Sequence, residues 1–451
     1  MSDVSTVNPD TFMTVLQPYM PVFYVSFTVT LILTPLMRFL AHRHGIVDEP
    51  DNRRKVHTQP IAYLGGVATF LGWLAGVSIS VMLRPHNAEP MMTPFVQIPP
   101  GILLGAAVVV LFGLLDDVYS LSPKLKLVGQ ALAAIFLIVP GRMNMGVDFF
   151  LGDRKGIAWM VVGGLERSGF IPKFATMPPE VYQYVLLGST IAGGMLAVLV
   201  IVSTCNATNL LDGLDGLCSG VTAVMTAGYL VLAVYMATLN FAPADVGGSI
   251  DPTRISLSLA LLGAVLGFLP FNFNPASIFM GDTGSMFLGF MCGAMMLLFG
   301  QDSMIRFFLA ALVIFGLPML DTLLAIVRRK LNGRPIFSPD SNHFHHFLIR
   351  RGFSVRQAVF LSYGLAAMFV SFALIIVVIQ TRVALGIYLV LFGWLVVVAF
   401  KMGMIFQQRA PASSNVGLNA TVIGPDTPVM VAGKSAVPPP PAASPGRPAV
   451  E

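Results

Sequence analysis

Four short polar segments interrupt a chain that is otherwise strongly apolar. They span residues 116–117, 206–216, 272–285 and 338–346, and they carry carboxylates, amides and histidines. The first three segments hold five carboxylates: Asp116, Asp117, Asp212, Asp215 and Asp282. Carboxylates that converge repel one another unless a cation lies among them, and Mg²⁺ or Mn²⁺ with oxygen ligands meets that need. With lysine and histidine nearby, this composition indicates a phosphoryl-transfer site, where positioning and charge neutralisation carry most of the catalysis.

Each polar segment alone also has a purely structural interpretation. The Asp116–Asp117 pair can be a solvated helix end, and Asp212 with Asp215 can be a cap and a first-turn acid that answers the helix dipole. The glycine-rich third segment can be a turn, and the histidines can lie at a membrane interface. Asp321, inside an apolar segment, is either a functional acid or a helix-to-helix hydrogen-bonding group. The occurrence of all four segments in one chain favours the functional interpretation.

The composition identifies the class of protein that must position these segments. Of 451 residues, 55% are hydrophobic and 11% are charged, and mean hydropathy is +0.78. Water-soluble proteins have about 25% charged residues. This excludes a disordered chain, a fibrous chain and an ordinary soluble enzyme, and it predicts an all-α polytopic integral membrane protein. Nucleic acid is not an expected partner, because its binding needs a clustered basic face and the basic clusters here lie between apolar spans. The three cysteines show no pairing or metal-ligand spacing.

Eleven apolar stretches approach the roughly 20 residues that cross a bilayer as a helix. They lie near 20–40, 62–83, 100–115, 124–141, 183–205, 217–239, 255–272, 284–300, 304–327, 357–379 and 383–405. Residues 1–37 contain no lysine or arginine, so the first stretch does not resemble a cleavable signal.

The distribution of basic residues predicts the orientation. Eighteen lysines and arginines fall on the side of the loop after the first span, and nine fall on the other side. Basic residues favour the cytoplasm. We therefore expect the N-terminus out and the C-terminus in, with all four polar segments at the cytoplasmic face.

Five regions follow from this topology. We expect a short extracytoplasmic segment (1–19), a multi-span domain (20–405), an extracytoplasmic loop (142–180), a cytoplasmic histidine-containing loop (328–356) and a cytoplasmic tail (406–451). From Ala410 onward the chain has nine prolines and no aromatic residue, so the tail is expected to be disordered.

The polar segments carry a resemblance to a known family. The motifs are Asp116-Asp117, Asn206…Asn209…Asp212-Gly213-Leu214-Asp215-Gly216, Asn274-Pro275-Ala276…Phe279-Met280-Gly281-Asp282-Thr283-Gly284-Ser285 and His343-Phe344-His345-His346, with a weaker match at Arg54-Lys55…Gly65-Gly66. In this order they resemble the polyprenyl-phosphate N-acetylhexosamine-1-phosphate transferases, which include WecA-like and MraY-like branches. The resemblance runs from about residue 20 to 405.

The resemblance implies a role for each matching residue. Asp282 would be the main Mg²⁺ ligand, with Asn209 and Asp117 beside it, and Asp116 and Asp117 would position or deprotonate the lipid phosphate. His343, His345 and His346 would meet the pyrophosphate or sugar. The remaining implied substrate-binding residues are Lys55, Lys126, Asn206, Asp212, Gly213, Leu214, Asp215 and Phe279. Among these, Lys126 would bind phosphate, Phe279 would stack on uracil and Asp215 would hydrogen-bond it.

The resemblance also implies a reaction and its partners. A sugar-1-phosphate would pass from a UDP-N-acetylhexosamine to undecaprenyl phosphate in a bacterial inner membrane, with release of UMP. The His-x-His-His motif is closer to the WecA-like branch, so UDP-N-acetylglucosamine is the leading donor, and the product would initiate a cell-envelope glycan. An MraY-like transferase, a secondary transporter and a homodimeric state stay open. Because a phosphate monoester is largely dianionic at neutral pH, direct attack is preferred over an aspartyl intermediate.

Overall fold

Long apolar segments become helices because a helix satisfies its own backbone hydrogen bonds where water is absent. The computed structural model of the protein describes residues 9–49, 60–83, 96, 98–138, 179–239, 251–300, 305–333, 335, 343–379 and, beyond them, 383, 386–390, 393 and 397. All of these belong to one unit, Met1–Glu49 with Gln59–Gln408.

The described elements are thirteen helices and one pair of very short strands. The helices are α1 (Pro9–Leu16), α2 (Met20–His44), α3 (Gly65–Ser80), α4 (Pro100–Tyr119), α5 (Pro123–Ile138), α6 (Pro179–Leu211), α7 (Leu217–Leu239), α8 (Asp251–Asn272), α9 (Gly281–Phe299), α10 (Ile305–Ile314), α11 (Gly316–Leu331), α12 (Phe344–Arg350) and α13 (Val355–Val378). A 3₁₀ turn, Gln17–Tyr19, joins α1 to α2, and β1 (Val47–Asp48) pairs antiparallel with β2 (Ile61–Ala62).

The chain is an all-α polytopic membrane protein. Seven described helical stretches are long and apolar enough to cross a bilayer, or eight if the bent pair α10–α11 counts as one span. The predicted stretch 217–239 coincides with α7, whereas the stretch predicted at 62–83 forms a helix of only 16 residues. The stretch predicted at 304–327 is not one straight helix, because α10 and α11 meet at an angle of 74°.

Helix α9 forms the centre of the bundle. Every residue of α9 except Asp282 is buried. It packs against α3, α4 and α6, while α2, α3, α7 and α8 pack together beside it. The C-terminal ends of α4 and α6 meet the N-terminal end of α9, so one end of the bundle collects the polar ends of three helices.

The strand pair is joined to the segment that precedes α9. Ala62 forms a parallel bridge with Ile278, and the Phe279 N–H donates to the Ala62 carbonyl at 2.8 Å. The N–H groups of Gly65 and Gly66 donate to the carbonyls of Phe279 and Met280 at 3.0 and 2.9 Å. These bonds fix the start of α3 against the start of α9.

The three cysteines are free and buried, as the sequence indicated. The predicted N-terminal segment is helical where it is described, from Pro9 to Tyr19. Several predictions lie outside the described residues: most of the loop at 142–180, the tail at 406–451, most of the stretch at 383–405, and Lys55.

Candidate active site

The acidic pair lies in the last turn of α4, and its two carboxylates point to different partners. Asp116 is buried, and its Oδ1 accepts a hydrogen bond from the Leu121 N–H at 2.7 Å. Ser120 ends the helix in the left-handed conformation (φ 52°), and its N–H donates to the Asp116 carbonyl. Asp116 therefore closes the end of α4 with one carboxylate oxygen and keeps the other for the site.

Asp117 caps the N-terminus of a different helix, α9. Its Oδ1 accepts from the Asp282 N–H at 2.8 Å, and its Oδ2 accepts from the N–H and hydroxyl of Thr283 at 3.0 and 2.6 Å. A carboxylate here satisfies orphan donors and answers the helix dipole. Gly281 has φ +70°, and a Cβ on it would lie 2.5 Å from Asp117 Oδ2, so this junction requires glycine.

Lys126 joins the two remaining carboxylates. Its ammonium lies 2.5 Å from Oδ2 of Asp116 and 2.5 Å from Oδ2 of Asp282. Oδ1 of Asp282 accepts from Asn209 Nδ2 at 2.8 Å, and the same amide nitrogen lies 3.0 Å from Ser285 Oγ. The ends of α4, α5, α6 and α9 thus converge on Asp282.

The donor set fits a divalent cation. Carboxylate oxygens of Asp116, Asp117 and Asp282 lie within 4.8 Å of one another. Three carboxylates against the single ammonium of Lys126 leave two negative charges when all are ionised. Hard oxygen donors in excess of local positive charge are what Mg²⁺ requires. The amide oxygen of Asn209 is an additional neutral donor beside Asp282.

The segment 206–216 spans the end of α6, whose last residue is Leu211. Asn206, one turn before Asn209, donates from Nδ2 to Gln130 Oε1 and to the Val202 carbonyl, both at 2.7 Å. Gln130, a buried residue of α5, was not among the predicted site residues. Burial, together with the charges of Asp282, Asp117 and Asp215, raises the pKa of the Asp212 carboxyl to about 8.

Asp215 and Asn272 hold this segment against the loop before α9. Asp215 Oδ2 accepts from Asn274 Nδ2 at 2.9 Å and from the Ala276 N–H at 3.0 Å. Asn272 accepts at Oδ1 from the Gly216 N–H and Ser219 hydroxyl, and its Nδ2 donates to the Ile278 carbonyl. One oxygen of Asp215, expected to meet uracil, is thus used to shape the loop.

Phe279 lies at the edge of this loop with a second aromatic side chain beside it. The Phe279 ring is half-buried, and its centroid lies 6.0 Å from that of Tyr63 at an interplanar angle of 58°. Sequence reasoning did not identify Tyr63, because it follows β2, a strand of only two residues that leaves little pattern in the sequence. The weak motif before α3 was the sole available signal.

The three histidines cluster at the start of α12. The ring centroids of His343 and His345 are 5.8 Å apart and nearly parallel, and those of His345 and His346 are 4.3 Å apart. His345 is buried, and burial, followed by the neighbouring His346, lowers its pKa to about 3. A Cβ on Gly213 would collide with the His345 ring, so the histidines contact the 206–216 segment.

The structure thus brings together side chains from all four polar segments. Asp116, Asp117, Lys126, Asn209 and Asp282 form one contact group. The other predicted positions that the structure describes lie on the polar segments themselves: Asn206, Asp212, Gly213, Leu214, Asp215, Phe279, His343, His345 and His346. The roles that the resemblance implies for these side chains remain predictions.

Comparison with known proteins identifies the family of this chain. Residues 99–300 match the family described as Glycosyl transferase family 4. A probable undecaprenyl-phosphate N-acetylglucosaminyl 1-phosphate transferase of Bacillus subtilis is 33% identical over 86% of this chain and 93% of its own. A decaprenyl-phosphate N-acetylglucosaminephosphotransferase of Mycobacterium tuberculosis is 35% identical over 74% of this chain and 76% of its own.

A relative from the other branch also matches. A phospho-N-acetylmuramoyl-pentapeptide-transferase of Desulforudis audaxviator is 30% identical over 72% of this chain and 87% of its own. The matched family region contains three of the four polar segments and every residue of the contact group around Asp282. The chain therefore belongs to glycosyl transferase family 4, the polyprenyl-phosphate N-acetylhexosamine-1-phosphate transferases.

Proposed function

We propose that this enzyme transfers N-acetylglucosamine-1-phosphate from UDP-N-acetylglucosamine to undecaprenyl phosphate, giving the lipid diphosphate sugar and UMP. The observation that carries the proposal is the group of three carboxylates within 4.8 Å of one another, with the Lys126 ammonium between two of them. The carboxylates suit a divalent cation, and the fixed ammonium suits a substrate that carries several phosphates.

The location of the site supports a lipid acceptor. The contact group lies at one end of a bundle of apolar helices, where a membrane-anchored phosphate and a water-soluble nucleotide can meet. We assign this end to the cytoplasmic face of a bacterial inner membrane, with eleven spans, the N-terminus out and the C-terminus in. The excess of lysine and arginine on that side supports the assignment.

Mg²⁺, or Mn²⁺ in its place, is the proposed cofactor. Asp282, Asp117 and the amide oxygen of Asn209 would hold the ion, and Asp116 lies within reach of the same position. When bound, the ion would neutralise phosphate charge at the diphosphate of the donor. Asp117 contributes in a second way, since its three hydrogen bonds fix the first turn of α9 and with it Asp282.

The chain's own groups then support direct attack by the acceptor phosphate. Lys126 is held between two carboxylates and presents a fixed positive charge that offsets repulsion between an anionic nucleophile and the donor phosphates. A phosphate monoester with a second pKa of about 6 needs little help from a base. Both oxygens of Asp117 already accept hydrogen bonds, which fits a positioning role better than a nucleophilic one.

The proposed donor site is formed by two aromatic rings and a carboxylate. Phe279 and Tyr63 form an aromatic edge suited to a uracil ring, and Asp215 retains one oxygen for which no contact is recorded in the described part of the chain. The histidines beside Gly213 would meet the sugar or diphosphate. The relatives of 33% and 35% identity carry names with N-acetylglucosamine, which favours that donor over the muramoyl-pentapeptide donor.

One experiment tests the proposal. Purified enzyme in detergent is incubated with UDP-N-acetylglucosamine, undecaprenyl phosphate and Mg²⁺, and UMP is quantified by chromatography. We expect stoichiometric UMP and lipid diphosphate sugar, and no UMP when the lipid or the metal is left out. Product from UDP-N-acetylmuramoyl-pentapeptide alone would reassign the donor, and absence of UMP from both donors would contradict a transferase and favour a transporter.

A further inference from the structure

Asp321 is a buried carboxylate on the bent part of the bundle. It lies in the second turn of α11, directly after the 74° bend from α10. Its Oδ2 lies 3.0 Å from His343 Nδ1, and its Oδ1 accepts from the Phe344 N–H at 2.9 Å. Both oxygens are therefore engaged at the start of α12, the short helix that carries His345 and His346.

These contacts replace a cap that α12 does not supply itself. His343 is the N-cap residue of α12, and its own side chain makes no capping bond. Helix starts expose backbone N–H groups, and a carboxylate that accepts from one of them is stabilising. Here the carboxylate comes from a different helix, so the direction of α12 depends on the position of α11.

The same contact selects one tautomer of His343. A carboxylate oxygen facing Nδ1 requires the proton to be on Nδ1, which leaves Nε2 free to act as an acceptor or to carry a second proton. The His343 ring then lies nearly parallel to the buried His345 ring. Neither ring nitrogen of His345 has a hydrogen-bond partner in the described part of the chain. The ring faces Gly213, in the segment that contributes Asn209 to the contact group around Asp282.

We propose that Asp321 is a positioning residue of the transfer reaction: it fixes the start of α12 and the Nδ1–H tautomer of His343, and thereby directs the histidine cluster toward the 206–216 segment. The proposal depends on the proposed function, because its readout is UMP release. It differs from a helix-to-helix contact that only adds stability, since a contact of that kind would not depend on the imidazole of His343.

The test compares four variants with the wild type in the UMP assay. Asp321→Asn keeps the size of the side chain, but its amide nitrogen, once it faces Nδ1, donates there and selects the opposite tautomer. Thr322→Ala is the matched control, because Thr322 is the next residue of α11 and, among the described residues, its hydroxyl donates only to the Pro318 carbonyl of the same helix. His343→Gln and the double variant with Asp321→Asn complete a cycle. Melting temperature in detergent is measured for each protein.

We expect Asp321→Asn to lower kcat by about 10- to 100-fold, a loss of the size that follows removal of the carboxylate partner of a metal-ligating imidazole. KM for both substrates should stay within about threefold, Thr322→Ala should keep wild-type kcat, and the double variant should be no slower than the slower single variant. Wild-type kcat in Asp321→Asn, or losses that multiply in the double variant, would overturn the proposal.

Two further measurements complete the test. If Asp321→Asn does not fold, His343→Asn is measured in its place. The asparagine amide can still donate to Asp321, but the variant lacks the Nε2 atom of the imidazole. A folded His343→Asn enzyme with reduced kcat supports the proposal, and one with wild-type kcat overturns it. UMP release by the wild-type enzyme separates the two ideas. A wild-type enzyme that is inactive contradicts the proposed function, whereas an active wild type with an equally active Asp321→Asn contradicts only the role of Asp321.

Discussion

Replacing Lys126 by methionine tests the charge arrangement most directly, because the change removes one charge and almost no volume. The carboxylates that Lys126 bridges lie within 4.8 Å of each other. Two unit charges at that distance interact by about 3.5 kcal/mol at an effective dielectric constant of 20. A substrate phosphate at a similar distance from the ammonium would lose a similar interaction energy in the variant. A loss of about 1.4 kcal/mol corresponds to a tenfold lower rate. We therefore expect kcat/KM to fall by about 10²- to 10³-fold.

Lys126→Met should lower activity but strengthen the binding of Mg²⁺. Without the ammonium, the carboxylates are less neutralised, so the Mg²⁺ concentration that gives half-maximal activity should decrease. Lys124→Met is the matched control: Lys124 lies two residues earlier on α5 and is exposed. UMP release is measured across Mg²⁺ concentrations for the three proteins. Equal losses in the two variants, or a Lys126→Met enzyme with more than a third of wild-type kcat/KM, would refute the reasoning.

Three further predictions concern the metal, the donor and the fold. Asp282→Asn should abolish UMP release and the saturable dependence on Mg²⁺, and wild-type rates would contradict its assignment as the main ligand. Phe279→Ala should raise the donor KM with little change in kcat, because stacking acts about equally in ground and transition states; steady-state kinetics with a loss confined to kcat would count against stacking. Gly281→Ala should lower the melting temperature, since φ is +70° and the added Cβ meets a carboxylate, whereas Gly364→Ala in open space should not.

A last prediction, on pH, belongs with these. The Asp212 carboxyl loses its proton near pH 4 when unfolded but retains it to about pH 8 in the fold, so it lowers stability as pH rises between these values. In EDTA, Asp212→Asn should melt above wild type at pH 8 and at the same temperature at pH 4. A gain that is equal at both pH values would exclude titration as its cause.

Much of the helix content and the membership of the site could be predicted from sequence. Apolar runs bounded by polar segments gave α7 with the bounds that the structure has, Leu217–Leu239. The spacing of polar residues at helix ends identified Asp116, Asp117 and Asp282, because side chains that are costly in lipid stand out in an apolar chain.

The contacts between helices could not be predicted in the same way. Hydropathy records how apolar a segment is but not its direction. Gly316 and Pro318 mark the break between α10 and α11, but they do not give its angle of 74°. The hydrogen bond between Gln130 and Asn206 joins residues far apart in sequence. Hydropathy in a single sequence does not say which helices are neighbours. For the same reason Asp321 could not be assigned a partner until its contact with His343 was observed.

The junction between β2 and the loop before α9 has a consequence for how donor preference can diverge among related enzymes. The hydrogen bonds that join Ala62, Gly65 and Gly66 to Phe279 and Met280 use main-chain atoms. Side chains along this seam, Tyr63 among them, can therefore be exchanged while the scaffold beneath keeps its geometry. Mutational libraries aimed at new nucleotide sugars would best begin at these positions, where chemical variety is least coupled to folding.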